Sequence, residues 1–167
     1  MFFLLWLAPS VAGEVSENQV KSAYVLNFAK FVEWPTRTLL DTDKINLCVL
    51  GSKTLSGTLF ELEGRKVGGR ALHVISNPNN ADTFNSCHLL FIGETEQRRL
   101  GGIFKTLGDA PILTISDSED FAEKGGSIGL VLHDNKIGFE VNWAALQKSK
   151  LHLPGQLLNL ASRVYER

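Results

Sequence analysis

The chain has 167 residues, of which 44% are hydrophobic and 21% are charged, and these values are typical of one globular domain with a sizeable core. Its net charge of −1, with no long basic run, argues against a protein whose main partner is a nucleic-acid backbone. Binding of that kind needs a concentrated positive field.

Residues 1–13 form an apolar run that ends in small residues. Ser10 and Ala12 occupy the −3 and −1 positions of a secretory cleavage site, so the pattern predicts a signal peptide over residues 1–12 and a single domain over 13–167. The run is too short to cross a bilayer. No Lys or Arg precedes it, so either the true start lies upstream or the signal is weak; the alternative is an N-terminal core element.

The segment 20–35, VKSAYVLNFAKFVEWP, predicts the opening helix. Ser16 and Gln19 offer a capping box and Pro35 ends the helix, which gives a length of about 18 residues. Helical spacing places one apolar stripe on the residues Val20, Ala23, Tyr24, Asn27, Phe31 and Trp34. Val25, Phe28 and Val32 widen this stripe until it almost surrounds the helix.

Three polar residues interrupt the apolar pattern of this helix. For Asn27 we expect a structural hydrogen bond, because a buried amide needs a partner. For Lys30 and Glu33 we expect solvated positions on the exposed side of the helix.

Strand and helix patterns alternate along the next part of the chain. The predicted strands are 45–51, 71–76, 87–92 and 111–117, and the predicted helices are 53–63 and 94–107, with a short helical turn at 118–123. A hairpin over 127–132 and 136–142 follows, and then helices over 143–150 and 157–165. The predicted fold is a three-layer α/β domain with a mostly parallel sheet, a C-terminal antiparallel hairpin and helices on both faces.

Motifs for catalysis are missing from the sequence. It contains no Gly-x-Ser-x-Gly elbow, no dinucleotide fingerprint and no Walker lysine. His73, His88, His133 and His152 lack metal-ligand spacing, although His73 and His88 lie in successive predicted strands and could meet. Structural histidines are the commoner outcome. We therefore expect no enzyme activity, no catalytic residue, no metal and no cofactor.

The two cysteines, Cys48 and Cys87, lie in or beside apolar strands. In an oxidising compartment we expect them to pair, closing a loop of about 40 residues. In a cytosolic protein they would be two small buried residues.

Separated segments of the chain together resemble the YfiR family of periplasmic regulators. They are VKSAYVLNFAKFVEWP, INLCVLG, CHLLFIG, ILTISD, FAEKGGSIGLVLHDNKIGFEVN and LHLPGQLLNLASRV. The resemblance runs in order over nearly the whole chain after residue 13. It implies a bridge between Cys48 and Cys87. Some relatives carry a second cysteine pair nearer the C-terminus, which this sequence lacks.

The resemblance implies a periplasmic repressor that binds the periplasmic sensor domain of an inner-membrane diguanylate cyclase and keeps cyclic di-GMP synthesis low. It also implies a homodimer and a small-molecule ligand. We expect the hairpin and the following helix to supply the partner-binding surface, through Ile137, Phe139, Glu140, Val141, Asn142, Trp143 and Leu146. A dimer face could include Phe28, Lys30 and Trp34. Ordinary core positions are the alternative for these residues.

A second hypothesis is a ligand-binding sensor domain that does not repress a cyclase. Its pocket would lie at the carboxyl ends of the parallel strands, near Gly51, Ser76, Gly93 and Asp117.

Overall fold

A computed structural model of the chain describes residues 16–52 and 54–167, so the predicted signal peptide at 1–12 lies outside the described residues. The helices are α1 Glu17–Phe31, α2 Ser56–Phe60, α3 Ala81–Asn85, α4 Leu100–Leu107, α5 Trp143–Lys148 and α6 Gly155–Leu158. The strands are β1 Lys44–Leu50, β2 Lys66–Val67, β3 Arg70–Ser76, β4 Leu89–Ile92, β5 Leu113–Ser116, β6 Ile128–His133, β7 Lys136–Asn142 and β8 Arg163–Tyr165. Two 3₁₀ turns, Thr36–Leu39 and Glu94–Arg99, complete the elements.

The strands form one eight-stranded sheet in the order β2-β3-β1-β4-β5-β6-β7-β8. The central strands β3, β1, β4, β5 and β6 are parallel, β7 returns antiparallel to β6, and β8 lies parallel to β7. This order is that of a doubly wound α/β domain. The chain places β3 on one side of β1, and from β4 onward it adds strands on the other side. The predicted fold class is confirmed.

The front face of the sheet, on which Leu47 and Phe91 point, carries the larger core. Helices α1 and α2 cover it together with Leu146 of α5 and the residues that follow. Parallel strands buried on both faces read as continuous apolar runs, and β4 is buried along its whole length.

Helix α1 begins at its predicted capping box, but it ends at Phe31, so the predicted end at Pro35 is wrong: Val32 is extended, and Glu33 pairs with His152 in an isolated β-bridge. The capping box of Ser16 and Gln19 is present, and the helix spans 15 residues. The buried side differs from the predicted stripe and consists of Ser22, Val25, Leu26, Phe28 and Ala29. Asn27 is exposed, so the structural hydrogen bond expected for it is wrong, whereas Lys30 and Glu33 are exposed as expected.

The back face carries a second core, built from α3, α4 and the connection between β5 and β6. Cys48 of β1 and Cys87, just before β4, form a disulfide within this core, and their Cα atoms lie 5.8 Å apart. The bridge therefore joins neighbouring central strands on the side opposite α1.

The C-terminal segment departs from the prediction. The expected helix over 157–165 is wrong: α6 ends at Leu158, and β8 instead adds a strand beside β7. The amide of Ser162 donates to the carbonyl of Phe139 at 2.8 Å, which directs the chain onto the sheet edge.

Smaller departures lie elsewhere. The predicted helical turn at 118–123 consists of turns, and β2 and α3 occupy segments for which no element was predicted. Within the described residues, no helix is both long and apolar enough to cross a membrane.

Candidate functional site: the two faces of the C-terminal hairpin

The hairpin of β6 and β7 carries an open depression on each face. On the back face, a cleft of about 650 Å³ lies between the hairpin, the start of β8 and the loop 117–120. On the front face, a groove of about 490 Å³ lies between the hairpin tip and the start of α1. We call these the back cleft and the front groove.

The back cleft exists because the β5–β6 connection covers only one end of the hairpin. A side chain at Gly129 would lie 3.4 Å from the amide of Ala122, so the connection packs closely there. Gly138, further along the same face, has open space above it. The side chains of Val131 and Glu140 share this face, because alternate residues of a strand point to one side.

Strand β8 forms one wall of the back cleft. Arg163 is paired in register with Glu140, and its guanidinium lies 4.7 Å from the ring centre of Tyr165. The Glu140 carboxylate accepts a hydrogen bond from the Tyr165 hydroxyl, and this bond is the main reason that the pKa of Tyr165 is raised. Arg163 is exposed, and Glu140 and Tyr165 are partly exposed, so this wall lies at the surface of the sheet edge.

Asp117 connects the loop wall of the cleft to α1. Its carboxylate lies 2.9 Å from the ammonium of Lys21, which also lies 2.7 Å from Glu17. Partial burial alone would lower the pKa of Lys21, but the hydrogen bonds and charges of Glu17 and Asp117 outweigh that effect and raise it. The charge of Asp117 is therefore largely compensated.

The other acidic side chains of the loop have no such charge compensation. Among the described residues, the carboxylates of Glu119 and Asp120 have no ion-pair partner, and both residues are exposed. Ser118 lines the cleft and is buried, and its hydroxyl has no hydrogen-bond partner.

The front groove is more apolar. Leu132 and Ile137 face each other across the hairpin, and the groove between them and Val20 is bordered by Glu17 and Lys136. Leu132 is 57% exposed. The Tyr24 hydroxyl donates to the carbonyl of Ile137 at 3.0 Å, which anchors the hairpin tip to α1.

The structure distributes the expected partner-binding residues over different environments. Phe139, Val141 and Leu146 are buried in the front core, and Phe139 packs edge-on against Phe28 with ring centres 5.1 Å apart. Ile137, Glu140 and Trp143 are partly exposed. Of the whole set, only these partly exposed residues offer surface to a partner.

Asn142 has a structural position. Its side-chain oxygen accepts from the amide of Ala145 and caps α5, while its amide nitrogen donates to the carbonyls of Ala122 at 2.7 Å and Arg167 at 3.0 Å. Asn142 therefore joins the β5–β6 connection, α5 and the chain end.

The residues expected at a dimer face also differ in burial. Phe28 is fully buried and Trp34 is 9% exposed, with its indole N–H donating to the carbonyl of His88 at 3.2 Å. Lys30 is exposed, and its neighbour Phe31 is 53% exposed.

The strand ends near β1 and β4, where the second hypothesis placed a pocket, are closed by backbone. The amide of Gly93 donates to the carbonyl of Leu50 at 2.7 Å, and any side chain at Gly93 would collide with Ser52. Of the residues named for that pocket, only Asp117 lines the back cleft.

The histidines do not converge on a site. His73 on β3 contacts Glu63 at 3.1 Å, and β1 separates it from His88. Among the residues that the structure describes, no cluster of three or more His, Cys, Asp or Glu side chains could hold a metal ion.

The fold and the site define a doubly wound α/β domain with a cystine between central strands and an open hairpin at one edge. Residues 18–162 match the YfiR/HmsC-like family, and the chain belongs to that family. Proteins of this family are periplasmic regulators rather than enzymes, and the Cys48–Cys87 disulfide fits an oxidising compartment.

Solved structures with a similar fold include the ABC domain in complex with L-Trp from Streptococcus pneumonia, with a TM-score of 0.59 and 12% identity over 83% of this chain. Another is a conserved domain protein from Vibrio cholerae, with a TM-score of 0.55 and 11% identity over 86% of this chain. The chain spans 58% and 59% of the length of these structures. At such identities the likeness concerns the fold alone.

Proposed function

We propose that this protein is a periplasmic negative regulator that binds the periplasmic sensor domain of an inner-membrane diguanylate cyclase and represses cyclic di-GMP synthesis. The observation that carries the proposal is the family match over residues 18–162. Export through a signal peptide at residues 1–12 belongs to the same proposal, and N-terminal sequencing of the periplasmic protein should find a start near Gly13.

Repression needs no chemistry at the regulator. A protein that binds one conformation of the cyclase more tightly than the other shifts the cyclase population by that difference in affinity. We assign the contact to the front groove, because Leu132 and Ile137 present apolar side chains beside Glu17 and Lys136. An apolar centre with a polar rim is the usual anatomy of a protein interface.

The genetic test measures cyclic di-GMP in a strain that carries the cognate cyclase. Deletion of the gene should raise the cyclic di-GMP level and biofilm matrix, and a plasmid copy should restore both. An unchanged level in the deletion strain would contradict repression.

The contact test uses two exposed leucines. Leu132→Lys in the front groove should weaken binding to the purified periplasmic sensor domain about tenfold or more, because it places a charge in the interface centre. Leu160→Lys is the matched control, since Leu160 is 71% exposed and lies outside the groove. Equal affinities of the two variants for the sensor domain would show that the contact does not lie in the front groove.

A homodimer through the exposed end of α1 is part of the proposal, with Lys30 and Phe31 at the contact. Phe31→Glu should convert the dimer to a monomer in sedimentation velocity experiments. A monomeric wild type would contradict this part.

The second candidate function, a small-ligand sensor, is favoured by one observation, the open back cleft of about 650 Å³ with the exposed residues Glu119 and Asp120 on its wall.

A further inference from the structure

The side chain of His88 joins β1 to the connector between α1 and β1, residues 35–43. The amide of Asn46 in β1 donates to Nδ1 of His88 at 2.8 Å, so this nitrogen carries no proton. The ring also donates a hydrogen bond to the backbone of Thr38 in the connector, and the proton of the neutral ring therefore lies on Nε2. The pair of bonds fits the neutral imidazole in this tautomer and does not fit the imidazolium.

The surroundings of His88 leave little room to solvate a charge. His88 is 7% exposed, and the indole ring of Trp34 packs edge-on against the imidazole with ring centres 6.3 Å apart. The indole N–H of Trp34 donates to the carbonyl of His88 at 3.2 Å, so the residue before the connector is fastened at the same point. A proton on Nδ1 would set two donors, the ring and the Asn46 amide, against each other in a buried place.

The charges near the imidazole also oppose its protonation. Arg70 of β3 donates to the carbonyls of Leu39 at 2.8 Å and Thr42 at 3.0 Å, and its positive charge adds to the lowering of the His88 pKa by burial. Among the described residues, no carboxylate forms an ion pair with His88. The other ionisable residues of the connector and its flanking segments are exposed, and they are Glu33, Arg37, Asp41, Asp43, Lys44 and His152.

We propose that acid releases the connector from the sheet while the strands stay paired, so that His88 acts as a pH-sensitive switch. Protonation removes the bond from Asn46 and places a second positive charge beside Arg70. Release uncovers Trp34 and Leu39, which pack against the front core when the connector is in place. The pairing of β1 with β3 and β4 is made by the backbone and does not use the imidazole. The proposal does not depend on cyclase repression.

The test is native-state hydrogen exchange of the mature, disulfide-bonded protein, followed by NMR between pH 5 and 7. The amide of Asn46 donates to the imidazole, and the amide of Thr38 donates to the carbonyl of Pro35 within the connector, so both amides report its opening. Opening takes up one proton. The opening constant calculated from their protection factors should therefore rise by up to about tenfold per pH unit below about 6.5.

Urea distinguishes release of the connector from unfolding of the whole domain. Release exposes little surface, so the protection of the Thr38 amide should not change with urea below the unfolding transition. The amide of Asn142, which donates to the carbonyl of Ser127 in the sheet, should be better protected and should respond to urea. Protection of the Thr38 amide that is constant with pH, or that responds to urea as Asn142 does, would overturn the proposal.

Variants of two histidines separate the switch from general effects of acid. His88→Gln offers an oxygen to Asn46 and a donor to Thr38 without a titrating group, so the protection factors of the connector should become nearly independent of pH. His152→Gln is the matched control, because His152 is exposed and pairs through its backbone with Glu33, and it should keep the wild-type dependence. Unchanged dependence in the His88 variant, or its loss in the control, would reject His88 as the switch.

The imidazole itself gives a measurement that needs no variant. In wild-type protein the ring signals of His88 should titrate with a midpoint below the ordinary value of 6.5, together with the change in protection of the connector. A midpoint at or above that value would also reject the proposal.

Discussion

Polar groups are hydrogen-bonded to different extents in the two halves of the sheet, the half around β1 and the half around the β6–β7 hairpin. Around β1, the imidazole of His88 accepts from the amide of Asn46 at 2.8 Å, and Arg70 donates to the carbonyls of Leu39 and Thr42. The Arg70 bonds fasten the connector between α1 and β1 to the sheet, and the His88 bond joins β1 to the residue before β4. Around the hairpin, the Ser118 hydroxyl is unpartnered and Leu132 is largely exposed.

We infer that this domain separates the residues that stabilise the fold from those that would contact a partner. The half around β1 bonds the polar groups of its connector internally and holds the disulfide, although Ser22 of α1 has an unpartnered hydroxyl and the side chains of Leu40 and Phe60 are exposed. The hairpin half leaves donors, acceptors and apolar surface that binding can satisfy. The predictions that follow test this division, beginning with the largest expected effect.

Phe139→Ala tests whether one face of the hairpin belongs to the hydrophobic core. Phe139 is 1% exposed and packs between Tyr24 and Phe28, so the substitution should lower the free energy of unfolding by about 3–5 kcal/mol. Leu132→Ala on the same hairpin should cost less than about 1 kcal/mol. Urea denaturation measures both. Similar losses would show that the hairpin is not divided into core and contact sides.

The double variant Cys48→Ala, Cys87→Ala tests the stability of the β1 half. Removing a bridge with a sequence separation of 39 should cost about 3–4 kcal/mol and lower the melting temperature by several degrees. A reducing agent should destabilise the wild type and leave the variant unchanged. Two reactive thiols in the native wild type, found by thiol titration, would refute the bridge.

Asn142→Ala tests the junction between the halves. It removes the α5 cap and the donors to Ala122 and Arg167, so we expect a loss of about 2 kcal/mol. The exposed Asn27→Ala is the control and should change stability by less than about 0.5 kcal/mol. A loss no greater than that of the control would show that the Asn142 side chain does not stabilise this junction.

The pH dependence of stability tests the His88 contacts. Burial, which outweighs the hydrogen bond to the Thr38 backbone, lowers the pKa of His88 below its ordinary value of 6.5. Between those pKa values the unfolded chain binds more protons than the native protein, so stability should fall as the pH drops below about 6.5. His88→Gln should reduce this slope, whereas the exposed His133→Gln should preserve it. Urea midpoints from pH 5 to 8 measure the slope; equal slopes would contradict the assignment.

Local patterns were sufficient to predict most of the sheet. The apolar runs of β1 and β4 and the His133–Lys136 turn of the hairpin are short-range signals, and the parallel order follows from strand–helix alternation. The capping box at Ser16 also needs only neighbouring residues.

The sequence-based predictions were wrong where contacts between distant segments determine the structure. Leu157, Leu160 and Val164 have helical spacing, but pairing with β7 places Val164 on a strand. In α1, apolar residues almost surround the helix, so the sequence did not indicate which side the sheet would cover. The back cleft was not predicted, because it joins residues from the loop 117–120, β6, β7 and β8.

The strand order has a consequence for how the chain builds its sheet. After β4, each new strand is added to the same edge in sequence order, so no strand has to be inserted between two others. We therefore expect the chain to assemble stepwise outward from β1, and truncations from the C-terminus to remove strands from the outside inward. Loss of residues 159–167 would uncover the edge of β7 while the bridged centre stays assembled.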